Sequence, residues 1–445
     1  MTEKTLSGQM WRIAVPAIIA NISIPLLGLA DSFIMGHLPD PRYLGAIALG
    51  AMIISILYNS MNFLRIATTG FTAQANGRQD HRAIPAIYLR ATLCALALGV
   101  GFMLLQWPVA GLTFALTGAD PAVEKLARQY FLIRIWGAPF ALLNFVAVGW
   151  LLGLHKAKEA LWIQVFMNIS NILLNFLFVY GFAMDVDGVA LGTIVAEFLA
   201  SLLGLHLVTR HCRKEFDHGI WHPLARDGLF DRGEFAKLFT LNRDIFIRTA
   251  CLTGAMASFT ILGATMSNEI LAANAILMNL QMVTSYGLDG FAQAAEVLVG
   301  KEIGRRSRRG LRRAVIISSK WALITAGLFS FFYFIFGDII INTLTNIAAI
   351  RETAGQYIIW VILLPLISIW SFQFDGIFIG ATAGKSMRNG MILSTLIYGL
   401  SLVVFLPLWR NHGLWLSYCI FLAARAATLA WEYPKVEQAA NRARD

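Results

Sequence analysis

Gly149-Trp-Leu-Leu-Gly153-Leu-His-Lys-Ala-Lys158 returns 227 residues later as Gly376-Ile-Phe-Ile-Gly380-Ala-Thr-Ala-Gly-Lys385, with both leading glycines and the closing lysine kept. The same shift relates Gln129-Tyr130 to Gln356-Tyr357 and Gly77-Arg78 to Gly304-Arg305. It also relates Leu44, Ala46 and Ala48 to Leu271, Ala273 and Ala275. The chain is therefore an internal duplication. In long apolar chains that pattern points to transporters, whose site lies between related halves. A pair of glycines four residues apart lets one membrane helix approach another closely, so both Gly-x-x-x-Gly pairs read as packing faces, not sites.

Composition sets the solvent. With 57% hydrophobic and 14% charged residues, and a mean hydropathy of +0.64, the chain reads as an all-α polytopic membrane protein. About 20 apolar residues cross a bilayer. Twelve stretches qualify: 11–35, 43–69, 84–107, 130–153, 160–183 and 187–209, then 236–265, 270–299, 314–336, 355–380, 390–409 and 412–432. Six spans per half is an even number, so the repeats are parallel and related by a pseudo-twofold axis along the membrane normal. The organisation expected is a first lobe over residues 1–209, a linker over 210–235 and a second lobe over 236–445.

Lys and Arg orient the chain. The loops on the side of both termini carry most of them, including Arg305, Arg306, Arg308, Arg309, Arg312 and Arg313. The opposite loops hold only Arg42, Lys125, Arg128, Arg351 and Arg410. The positive-inside rule makes the termini cytoplasmic. The net charge of +10 then matches the anionic inner leaflet of the lipid bilayer, not a nucleic acid. Four cysteines at 94, 212, 251 and 419 show no paired spacing, so no disulfide framework is expected. His218-x-x-x-His222, near His211 and Cys212, lacks the second ligand pair of a metal site and reads as solvated linker. Gly380-Ala-Thr-Ala-Gly384-Lys385-Ser386 has one residue too few between its glycines for a phosphate-binding loop. No nucleotide-binding domain is seen, so no cofactor is expected and an ion gradient is the energy source, protons first and sodium second.

Ionisable groups at membrane depth mark ion or substrate paths. The first half offers Asp31, Arg65, Arg134 and Glu197; the second offers Arg243, Asp244, Arg248, Asp289, Glu296, Asp375 and Arg425. Acids and bases nearly balance in the second half, so Asp244, Arg248, Asp289, Glu296, Asp375 and Arg425 form a charge network whose role, mutual neutralisation or binding, stays open. Asp31 differs. Its repeat counterpart is Ser258, and no base lies near it in sequence. Desolvation disfavours its charged form, which suits a proton carrier; the plain alternative is an acid paired to Arg65 or Arg134. Pro16 and Pro25 in the same span favour a bend. Asn171 and Asn175 share a helix face, and with Thr193 they make a polar network that serves either Asp31 or helix packing.

These residues carry a resemblance. Pro25-Leu-Leu-Gly-Leu-Ala-Asp31, Thr68-Thr-Gly-Phe-Thr-Ala-Gln74, Leu241-Asn-Arg-Asp244, Leu288-Asp-Gly-Phe-Ala292 and Asp375-Gly-Ile-Phe-Ile-Gly-Ala-Thr382 resemble the multidrug and toxic compound extrusion family, and its DNA-damage-inducible F branch most of all. The resemblance covers nearly the whole chain. It implies a monomeric twelve-helix antiporter of the bacterial inner membrane, not an enzyme, exporting amphipathic, cationic small molecules against protons or sodium. It also implies that Asp31 is the protonation site, Pro16 the bending proline, and Asn171, Asn175 and Thr193 the surrounding polar network. The family writes Asp at the position held here by Asn175, so a sodium site would lose a charged ligand. A lipid-linked oligosaccharide flippase of the same superfamily stays open as an alternative, through Arg65, Arg134 and Arg248. A membrane-embedded enzyme has no nucleophile-base pair to support it.

Overall fold

The computed structural model describes residues 3–36, 41–115, 120–216 and 229–441. Within some helices, Asp31 among them, the side chain falls outside the described residues. The described chain is helical almost throughout. The first half holds α1 (Glu3–Gly36), α2 (Pro41–Ser60), α3 (Phe63–Arg78), α4 (Ala83–Leu104), α5 (Gln106–Ala115), α6 (Pro121–Arg134), α7 (Ala138–Gly153), α8 (Ala157–Phe176) and α9 (Val186–Phe216). The second holds α10 (Arg232–Ala264), α11 (Asn268–Gly304), α12 (Arg308–Leu344), α13 (Ala348–Gly380) and α14 (Gly384–Ala439).

Nine helical segments among the described residues are long and apolar enough to cross a membrane. One of them, α14, has 56 residues, about 84 Å of helix, enough for two crossings. It is broken at Arg410, whose backbone turns to φ 47°, ψ −121°. With α1 and α11, the twelve expected crossings are accounted for. Large apolar side chains such as Phe334 (72% exposed) and Val403 (74% exposed) point away from any protein neighbour. In water such faces would drive aggregation; against lipid tails they cost nothing.

The crossings break where the chemistry says they should. Pro139 at the start of α7 has no N–H to give, and the chain before it tightens into a 3-10 turn, Ile135–Gly137. Five residues of π-helix, Leu177–Gly181, close the span begun by α8. The carboxylate of Asp231, just before α10, accepts from the amides of Gly233 (2.7 Å) and Glu234 (3.1 Å). These are orphan donors of a helix start, and they hold the carboxyl below its ordinary 3.8.

Two compact units result: Ile19–Lys237, and Leu238–Asp445 together with Met1–Ile18. In Ile19–Lys237, α3 packs on α7 and α8 on α9. One core gathers Ile53, Tyr58, Phe114 and Phe131; another gathers Ile34, Ile47, Val179 and Val189. In the other unit α11 packs along α13. Its core centres on Trp415, which meets Phe259 edge-on at 4.9 Å and donates its indole N–H to Asn274 at 2.9 Å. The first half of α1 joins this unit, with Trp11 set 5.3 Å from Phe291 and from Trp321.

The glycine pairs pack as their spacing predicts. A Cβ on Gly149 would strike the Arg65 carbonyl, and one on Gly153 would meet the Thr69 carbonyl. In the other unit, Gly376 faces the Ala292 carbonyl and Gly380 the Glu296 carbonyl. Ala292 and Glu296 are the residues 227 positions after Arg65 and Thr69. The same helix seam is built twice, each copy inside its own unit.

Candidate functional site

Within Ile19–Lys237 the polar network is assembled between α8 and α9. Asn175 donates to Asn171 Oδ1 at 3.1 Å, Asn171 donates to Thr193 Oγ1 at 2.8 Å, and Thr193 donates to the Val189 carbonyl at 2.8 Å. Asn171 and Asn175 are 1% and 0% exposed. Gly192 makes this approach possible, since a Cβ there would collide with Asn175. The α8 face continues to Asn168, which donates to Ser23 Oγ of α1 at 2.8 Å. At the other end the hydroxyl of Tyr180, in the π turn, donates to the Ile34 carbonyl of α1 at 3.2 Å. The segment of α1 between Ser23 and Ile34 is thus fixed to the α8 span at both ends. Asp31 lies in that segment, its side chain outside the described residues. Pro16 is buried in α1, which stays helical through it.

Arg134 and Glu197, both named above among the charges at membrane depth, are partners, a pairing the sequence reading did not make. The guanidinium at the end of α6 grips the carboxylate on α9 through both oxygens, Nη1 to Oε2 at 2.9 Å and Nη2 to Oε1 at 2.5 Å. Tyr58 closes the cluster, its hydroxyl donating to the Arg134 carbonyl at 3.3 Å and its ring 5.3 Å from the guanidinium carbon. Asn144 ties down the Glu197 carbonyl at 3.0 Å. The room for all this comes from Gly137, where a Cβ would sit 2.7 Å from both Arg134 Nη1 and Glu197 Oε2. Thr193 and Glu197 are one helical turn apart on α9, so the pair extends the polar network. Arg134, considered above as a partner for Asp31, is committed to Glu197. The signal was present: two spans of one half each carry a single charge at depth, of opposite sign.

In the unit of Leu238–Asp445 the charges divide into groups. Asp375 is held by Arg248 and, at 2.6 Å, by Arg425. Asp244, 2% exposed, pairs instead with Arg388 at 2.8 Å and with Arg243 at 3.1 Å. Asp289 accepts from Gln293 at 2.8 Å. Glu296 is buried on α11 beside the Gly380 seam. Asp244 and Asp375 thus answer different arginines. At the 227 shift, Arg134, Glu197, Arg248, Asp375 and Arg425 face Val361, Ala424, Asn21, Val148 and Phe198. The duplication kept the glycine seam and gave each half its own charges.

His211, on α9, is paired with Glu159; His218 and His222 lie outside the described residues. No cluster of three metal-ligating side chains occurs among the described residues.

Comparison with known proteins gives this arrangement its family. The MatE family profile matches residues 16–177 and again residues 245–408, once in each repeat. DNA damage-inducible protein F of Escherichia coli is 39% identical over 421 residues, covering 95% of this chain and 90% of that protein. A probable multidrug resistance protein NorM of Bacillus cereus is 23% identical over 428 residues, covering 93% and 92%. Among solved structures, a MOP superfamily transporter from Pyrococcus furiosus aligns with a TM-score of 0.85 at 19% identity, covering 98% of this chain and 97% of that one. The outward-facing conformation of a multidrug resistance MATE family transporter aligns at 0.86 and 18% identity, covering 98% and 96%. At such identities the structures speak for the fold alone. The two profile matches and the Escherichia coli relative go further: the chain belongs to the MatE family and is a membrane transporter, not an enzyme.

Proposed function

We propose that this transporter is a proton-coupled multidrug exporter, an antiporter that expels amphipathic, cationic compounds from the cytoplasm, with Asp31 carrying the proton. It would sit in a bacterial inner membrane with both termini cytoplasmic, as the Lys and Arg distribution and the Escherichia coli relative suggest. The observation that carries the reading is the commitment of Glu197. It is the one buried acid among the described residues of Ile19–Lys237, and Arg134 holds both its oxygens. That leaves Asp31, on the α1 segment that α8 and its π turn hold, as the other acid the sequence places at membrane depth in the first half for a proton carrier.

Sodium coupling is supported less well. Asn171 Oδ1 and Thr193 Oγ1 already accept hydrogen bonds, from Asn175 and Asn171, and position 175 carries no charge. The flippase alternative needs basic side chains to hold an anionic substrate. Of its three arginines, Arg134 and Arg248 each face a carboxylate. Arg65, among the described residues, bonds only the neutral Asn62, at 3.0 Å, and is what keeps that alternative in play. The designation of the Bacillus cereus relative as a multidrug resistance protein supports the substrate class. Asp31→Asn is the test. The neutral isostere costs less in a bilayer than the acid, so the variant should insert and melt like wild type while losing transport in proteoliposomes. Transport at the wild-type rate would remove Asp31 from the mechanism.

A further inference from the structure

The near phosphate-loop sequence Gly380–Ser386 takes no part in transport as read above, and it opens onto a groove. That groove, of about 640 Å³, runs between the two arms of α14, the one beginning at Gly384 and the one ending at Ala439. Its character changes along its length. Lys385, Ser386 and Lys435 lie at the end where α14 begins and ends; Leu393, Ala427 and Trp431 line the rest. Leu393 is eight residues from Lys385, about 12 Å deeper along the helix. Gly390 lets the arms close behind the groove, since a Cβ there would meet Thr428 Oγ1 at 3.0 Å.

We propose that this groove binds one anionic phospholipid, its phosphate at Lys385 and Lys435 and an acyl chain along Leu393 and Ala427. Charge is the first argument. Glu432 accepts from Lys435 at 2.6 Å and from Ser386 at 3.0 Å, which leaves two ammonium groups against one carboxylate. Lys385 is exposed and has no ion-pair partner among the described residues. The second argument is the helix start. Residue Ala383, at the N-cap of α14, offers no side-chain cap, so the orphan amides of the first turn favour a phosphate there. The third is Trp431, 86% exposed, an amphipathic ring of the kind that sits at headgroup level. A soluble anion would use the lysines but has no use for the apolar length of the groove; a zwitterionic lipid would use the groove but gain nothing from the lysines.

The test uses the purified full chain in detergent with dioleoyl-phosphatidylglycerol or dioleoyl-phosphatidylcholine, lipid retention being read by native mass spectrometry. Wild type should retain one phosphatidylglycerol in preference to phosphatidylcholine. A basic residue near an anionic surface contributes roughly fivefold in affinity, so Lys385→Ala with Lys435→Ala should weaken retention roughly 25-fold. Melting in phosphatidylcholine should not change, because both side chains are exposed. Ala427→Trp, which fills the apolar length, should lose the lipid with both lysines in place. Arg309→Ala with Arg313→Ala, two exposed arginines of α12, should keep it. The proposal is overturned if wild type does not distinguish the two lipids, or if either groove variant retains phosphatidylglycerol like wild type. An equal loss in the arginine pair would also overturn it, by reducing the effect to general surface charge.

Discussion

Arg134 and Glu197 show what a charge requires inside an apolar bundle. Neither is tolerable alone, because stripping water from an ion costs several kcal/mol that only a close, well-bonded partner offsets. Glu197→Gln should therefore destabilise the protein by about 3–5 kcal/mol, since it leaves Arg134 buried without a counter-charge. Replacing both, as Arg134→Met with Glu197→Leu, should cost far less. Melting curves in detergent distinguish the two; a single variant no worse than the double would mean the pair contributes no structural neutralisation. The same reasoning applies to Asp375, which answers two arginines. Asp375→Asn should lower the melting temperature sharply, because it leaves them without their counter-charge. A stable, inactive Asp375→Asn would instead place that acid in substrate or ion binding. The Arg134–Glu197 pairing could not be read from spacing, because the two are 63 residues apart and meet only where α6 packs on α9.

At the level of elements, the regular parts were legible and the interruptions were not. The Gly-x-x-x-Gly seams follow from spacing, because four residues make nearly one helical turn and put both glycines on one face. Pro139 follows the 3-10 turn at Ile135–Gly137 without fixing its length, and the π turn at Leu177–Gly181 and the turn at Arg410 have no such signal. Helix ends lie between, since the Asp231 cap is a local feature with a sequence signature. Its carboxyl is held below the ordinary 3.8 by two backbone amides. The stabilisation it gives α10 is complete above that ordinary value and is lost as pH falls through the lowered one. Asp231→Ala should bring a small loss of melting temperature at neutral pH and a flatter acid limb. Asp231→Asn should keep most of the cap and also flatten that limb. If Asp231→Ala keeps the wild-type acid slope, the acid limb is set by other groups.

For the whole molecule, duplication explains what the halves share. The seam occurs in both units at equivalent residues, whereas the charged clusters occur at different positions in each. Fold class was therefore readable from composition and repeat, because bilayer thickness leaves few choices to an apolar chain. Of the polar residues named from sequence, Asn171, Asn175 and Thr193 bond to one another, while the pairing of Arg134 with Glu197 had to be seen. Coupling belongs to the whole molecule, and it is tested most directly by transport of a fluorescent organic cation into proteoliposomes whose lumen is made acidic. Wild type should accumulate the cation as protons leave, equally with and without a sodium gradient, and Asp31→Asn should not accumulate it at all. Accumulation driven by sodium alone, or an Asp31→Asn variant still driven by the pH gradient, would contradict the account.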